Sequence, residues 1–182
     1  MFDPTIYDNL KVVFEGALYD LDRTGRILIV GREDLVDLAS MSRRFAMRME
    51  KQQDATCQAK LELSSNLVDF ASELRRMRLA DEVPGSRLTL SFDLPLRMAV
   101  NSGAIDEHLR AVWGDVAAVQ HERVESFAPH AGDRSDETPS GIYRITLPLA
   151  GKIDEDNIED VVSLLDHLVL SLETIEQIGN SR

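Results

Sequence analysis

Imidazole serves near neutral pH as base, partner of a nucleophile or metal ligand, and the chain holds four histidines: His108, His121, His130 and His167. No two of them form the i, i+4 pair of a helical zinc site. His121 and Glu125 fall on one face of a strand expected over residues 116–127, with Arg123 between them and Glu122 on the opposite face. A site built there needs ligands from elsewhere, and the polar group His130, Asp133, Asp136 and Glu137 in the segment that follows could supply them. Their spacing matches no metal motif of known geometry. Asp106-Glu107-His108 opens an expected helix, where acidic side chains are stabilised by the helix dipole without any catalytic role. Asp166 and His167 are neighbours on another helix and point about 100° apart, so they cannot work together as acid and base.

The remaining chemistry is sparse. Cys57 is the single cysteine, which excludes an intramolecular disulfide and every zinc or redox pattern built from paired cysteines. It shares period two with Ala59, Leu61 and Leu63 and is expected to be a buried small hydrophobe. There is no phosphate-binding GxxxxGK[ST] loop, no GxGxxG turn and no GxSxG elbow; Val30-Gly31-Arg32 follows an apolar run with only one glycine. Thirty-two acidic and twenty basic side chains leave a net charge of −12, a field that disfavours nucleic acid and anionic membrane surfaces as partners. Aromatic residues make up 5 %, too few for a base-stacking platform. Met1-Phe2-Asp3-Pro4-Thr5 shows neither the basic start nor the apolar run of a signal peptide, so a cytoplasmic protein is expected, with no cofactor and no metal.

These side chains must be positioned by the elements around them. The expected fold is a single α+β domain over residues 1–182, with a mainly antiparallel sheet, helices packed on one face, a long C-terminal amphipathic helix and a mobile loop at about 128–141. Leu10 to Leu21 and Arg26 to Val30 flank Asp22-Arg23-Thr24-Gly25, which predicts a β-hairpin; the competing reading is an amphipathic helix begun by Asp3-Pro4. Glu33 to Ala39 reads as a short helix with acids in its first turn. Alternation then predicts strands over Ser42–Lys51, Thr56–Leu63, Leu88–Leu96 and Ile142–Leu149. Pro95 would put the end of its strand at an edge or a bulge. Helices are expected over Leu67–Met77, with the stripe Leu67, Phe70, Ala71 and Leu74, and over Ala104–Trp113, closed by Gly114. The strings Leu94-Pro95-Leu96 and Leu147-Pro148-Leu149, each followed by Ile-Asp-Glu and a helix, form a faint internal echo. Whether Arg43, Arg44 and Arg48 gather into a basic patch stays open.

The terminal helix, Asp154 to Ile178, is the richest segment. Ile158, Val161, Leu165, Leu168, Leu172 and Ile175 recur at threes and fours, a seam about 27 Å long at ~1.5 Å per residue. Val162 and Val169 widen it, and Leu164 and Leu170 lie outside it. So much apolar circumference asks for cover from a sheet together with either neighbouring helices or a second subunit. Two functional classes follow. The first is a non-catalytic, protein-binding homodimer of adaptor or chaperone type, with Leu164, Leu168, Leu170 and Leu172 as the possible interface. The second is an enzyme or small-ligand-binding domain whose pocket lies near the 128–141 loop and uses His121, Glu125, His130 and Asp133.

Overall fold

The computed structural model describes residues 5–75, 85–126 and 140–180. Its six strands form one antiparallel sheet in the order β1-β2-β3-β4-β6-β5, and four helices pack on one face of it. The strands are β1 (Leu28–Asp37), β2 (Ser42–Glu50), β3 (Gln58–Ser65), β4 (Arg87–Pro95), β5 (Gln120–Ser126) and β6 (Ser140–Pro148). The helices are α1 (Ile6–Arg23), α2 (Leu67–Arg75), α3 (Ser102–Trp113) and α4 (Val161–Asn180). Among the described residues, no helix is long and apolar enough to cross a membrane.

The expected N-terminal hairpin is a helix. Tyr7, Leu10, Phe14 and Leu18 are buried at spacings of three and four, so one apolar stripe docks on the core. Thr5 caps the start by accepting from the Asp8 amide. The tetrad that reads as a hairpin turn is the helix stop: Gly25 takes φ +78°, its amide donates to the Asp22 carbonyl at 2.9 Å, and the Arg26 amide donates to the Leu21 carbonyl at 3.0 Å. This pair of bonds is the glycine-terminated Schellman end, and the same glycine that suits a tight turn suits it equally well. The short helix expected over Glu33–Ala39 is also absent, because those residues belong to β1. Glu33 meets Arg48 across the sheet at 3.0 Å, Asp34 meets Lys11 beneath it at 3.1 Å, and Asp37 accepts from Ala39 and Ser40 in the turn that follows.

β2, β3, β4 and β6 carry the alternation the sequence announces. Their inward rows run Met49-Ala59-Phe92-Ile145, Met47-Leu61-Leu90-Leu147 and Phe45-Leu63-Leu88, all buried beneath the helices. Pro95 lies at neither an edge nor a bulge: β4 sits between β3 and β6, and Pro95 is its last residue, opposite Ile142, where a missing N–H ends a ladder that has already run its length. β5 starts at Gln120, later than expected, because Gly114–Val116 forms a 3-10 turn. β6 starts at Ser140, so the last two residues of the expected loop are strand; residues 128–139 lie outside the described residues. The echo has a structural counterpart: Pro95 and Pro148 each close a strand that leads through a 3-10 turn, Leu96–Asn101 or Glu155–Asp160, into α3 or α4, and these two helices pack together.

Candidate functional site

The terminal helix turns most of its apolar surface inward. Leu168 and Leu172 are fully buried with Val161, Leu165, Val169 and Ile175, so two of the four leucines expected at an interface belong to the chain's own core. The expected single helix from Asp154 also begins as the 3-10 turn Glu155–Asp160, held by reciprocal Asp154 and Asn157 caps, before α4 proper. Leu164 is half-buried in a groove of about 390 Å³ with Val112, Val116, Leu149 and Ile153. Leu170 is 45 % exposed, and Val162 stands two turns away with Asp166 between them. That leaves scattered apolar positions on α4, not a seam.

His121 has partners, and they differ from the expected ones. On β5 it faces inward at the sheet margin, its Nδ1 2.6 Å from the Tyr143 hydroxyl and its Nε2 3.0 Å from Asp106 Oδ1. Asp106 Oδ2 accepts from Arg110 Nε at 2.7 Å. The Arg110 and His121 contacts hold the Asp106 carboxyl below its ordinary range, while burial first and the Asp106 charge second push the Tyr143 phenol up to about 12. Tyrosine, imidazole and carboxylate thus satisfy one another within the chain. The set ties β5 to α3 and β6. Glu125 lies four residues further along the same inward-facing side of β5 and is exposed; His130 and Asp133, with Asp136 and Glu137, lie outside the described residues. No cluster of three or more His, Cys, Asp or Glu side chains suited to a metal occurs among the described residues. Cys57 is buried as expected, and burial raises its thiol well above the ordinary value.

Comparison of the chain with protein-family models, with curated proteins and with solved structures found no match. Function must therefore be argued from the surface.

Two exposed features stand out. Leu28, Val30, Leu35, Val36, Leu38 and Met41 are all large apolar side chains exposed on β1 or the turn after it, and among the described residues no strand pairs with the outer edge of β1. α1 continues this surface: Lys11 and Glu15, which pair with Asp34 and Arg32 of β1, share a 100° arc of the helix with Val12 and Tyr19, 65 % and 45 % exposed. The second feature is a cleft of about 620 Å³ at the end of the sheet, between the β1–β2 turn and the start of α2. The three arginines left open by the sequence separate here. Arg43 faces inward over the rings of Tyr7 and Phe70, at 4.4 and 4.7 Å, and Arg48 pairs with Glu33. Arg43 and Arg44 both line the cleft, joined by Arg87 from β4, while Arg48 stands apart.

Sequence reasoning missed two buried polar contacts. Glu176, on the inward side of α4, is 1 % exposed and accepts from the amides of Thr56 and Cys57, both at 2.7 Å, and from the Thr56 hydroxyl at 2.6 Å. The one available signal was its position directly after Ile175 on the seam. α2 was expected to bury Leu67, yet Leu67 is half-exposed; among the described side chains of α2 the buried ones are Asp69, paired with Lys152, and Ser72, with Phe70 and Ala71 partly buried. The Asp69 carboxylate also accepts from the Asn66 amide at the start of the helix.

Proposed function

We propose that this protein acts by binding protein rather than by catalysis, in the cytoplasm, and that its first partner is a second copy of itself, joined through β1. The observation that carries the reading is the run of exposed apolar side chains on an edge strand, where N–H and C=O groups with no strand beside them among the described residues invite a further one. The order of residues suits a copy. With a two-fold axis through Glu33, antiparallel pairing sets Arg32 opposite the partner's Asp34 in the regular part of the strand. The two Glu33 side chains meet near the axis, each held by its own Arg48. The single cysteine and the absence of any apolar spanning helix among the described residues fit the cytoplasm.

Light scattering on the purified chain tests the proposal. The expected mass is twice the 20.4 kDa of one chain, and Val36→Lys, which places a charge on the edge, should return it to one. Val124→Lys on β5 and Leu170→Asp on α4 should leave the dimer intact. A wild-type monomer at micromolar concentration, or a dimer that survives Val36→Lys and yields to Leu170→Asp, overturns the β1 interface.

A further inference from the structure

The sheet face away from the helices is an ordered lattice of charge. Arg48 pairs with Glu33, Lys60 with Glu62 at 2.9 Å, and Arg144 grips Asp93 through two bonds of 2.7 Å. At the end of this face the pattern breaks. In the row Leu35-Arg44-Ser64-Arg87, one hydroxyl stands between two guanidinium groups, and neither Arg44 nor Arg87 has an ion-pair or hydrogen-bond partner among the described residues. In a chain with twelve more negative than positive charges, two exposed cations left without carboxylates at one spot ask for a reason.

The surroundings supply one. Adjacent strands lie ~4.8 Å apart, so Arg44 and Arg87 stand about 10 Å apart at their Cα atoms, close enough for both side chains to converge on one group above Ser64. Ser42 and Asn66 add polar side chains to the cleft, and Ser65, 3 % exposed, lines it with a hydroxyl that has no partner among the described residues. The two acids that reach the cleft are engaged. Asp37 accepts from the Ser40 hydroxyl at 2.7 Å and the Ala39 amide at 2.9 Å, and Asp69 is paired with Lys152. Leu35 and Val36 give one apolar wall.

We infer that this cleft is a binding site for a phosphate monoester, gripped by Arg44 and Arg87 and hydrogen-bonded by Ser64. The donor count selects the class. Two guanidinium forks and a hydroxyl present five donors, one more than the four lone-pair sites of a carboxylate accept and well matched by the three terminal oxygens of a phosphate monoester. The cleft is also far larger than inorganic phosphate and falls in the range of small-ligand sites, leaving room along the Leu35 and Val36 wall for whatever carries the phosphoryl group. That carrier is a small metabolite or a phosphorylated side chain of a bound protein, the anchoring chemistry being the same. The inference does not rest on dimerisation, since Arg44, Ser64 and Arg87 lie on β2, β3 and β4, although the Leu35 and Val36 wall belongs to β1.

Amide-resolved NMR titrations of the full chain with inorganic phosphate, O-phosphoserine, a short phosphoserine peptide and acetate test it. Saturable shifts are expected at residues 42–44, 64–66 and 87 with the three phosphates and not with acetate. Arg44→Ala and Arg87→Ala should each weaken phosphoserine about tenfold or more, as loss of a charge-assisted pair implies. Arg97→Ala, an equally exposed arginine elsewhere, should bind as wild type. Tighter binding of the peptide than of free phosphoserine assigns the phosphate to a protein side chain; equal binding assigns it to a small molecule. Shifts that are unsaturable, that acetate reproduces, or that persist in both arginine variants overturn the site, whatever the oligomeric state.

Discussion

The two edges of the sheet solve one problem in opposite ways. β5 is short, and of its side chains Gln120 to Glu125 only Val124 is a large apolar residue. β1 is longer and carries Arg32, Glu33 and Asp34 in the middle and Asp37 at its end, with Leu28 and Val30 before the central charges and Leu35 and Val36 after them. Both strands are pinned inward by polar contacts, β5 through His121 to Asp106 and Tyr143, β1 through Arg32 and Asp34 to Glu15 and Lys11. The pins therefore do not distinguish the edges. What differs is the apolar content: β5 exposes Val124 alone among its large apolar side chains, whereas β1 exposes Leu28, Val30, Leu35 and Val36, the surface proposed to accept a further strand.

A contact on neither edge sets the scale for testing this comparison. Glu176→Ala removes three buried hydrogen bonds to a carboxylate and strands two amides, and should cost about 3 kcal/mol or more, a drop in Tm of about 6–12 °C. Tyr143→Phe, which cuts the β5 pin, should cost about 1–2 kcal/mol in urea unfolding and speed amide exchange in β5 more than in β1. A uniform increase in exchange would show that the pin serves the whole sheet. The same phenol makes the pin sensitive to alkali. Its folded pKa is raised to about 12 against ~10 in an unfolded chain, so its contribution is complete below pH 10 and lost as pH rises toward 12. Asp106, with its pKa lowered, contributes fully above about pH 4 and loses that contribution as pH falls further. Stability measured across both windows should flatten at the alkaline end in Tyr143→Phe and at the acid end in Asp106→Asn. Lys11→Ala, cutting a surface pin of β1, should cost less than about 1 kcal/mol and leave the chain mass unchanged, since side-chain pairs of this kind are weak. A change of mass would make that ion pair part of the interface.

Much of the sheet is written in its alternation. Met47 and Met49, Leu88 to Leu94, and Tyr143 to Leu147 point inward because period two leaves them no other arrangement against a helical layer. α3 was equally legible, with Ile105, Leu109 and Trp113 on one face and Gly114 at its end. The N-terminal third was not. A glycine after Asp22-Arg23-Thr24 is chemically suited to a hairpin and to a helix stop, and only the burial of Tyr7 decides between them. β1 was obscured because Glu33 and Asp34 look like a helix start until Arg48 and Lys11 are placed beside them. The site residues suffered the same limit: Asp106 and His121 meet across a helix and a strand, and Arg44 and Arg87 across two strands, so no local spacing records either pair. The seam on α4 was read correctly as apolar, but a seam does not say whether its own chain or another will cover it.

The grip of Glu176 on Thr56 and Cys57 has a consequence for synthesis. Its two ends are 120 residues apart, and Arg26 reaches similarly far to Asp166. While the chain is being made at ~5–20 residues per second, Thr56 and Cys57 therefore wait about 6–24 s for the carboxylate that accepts from their amides.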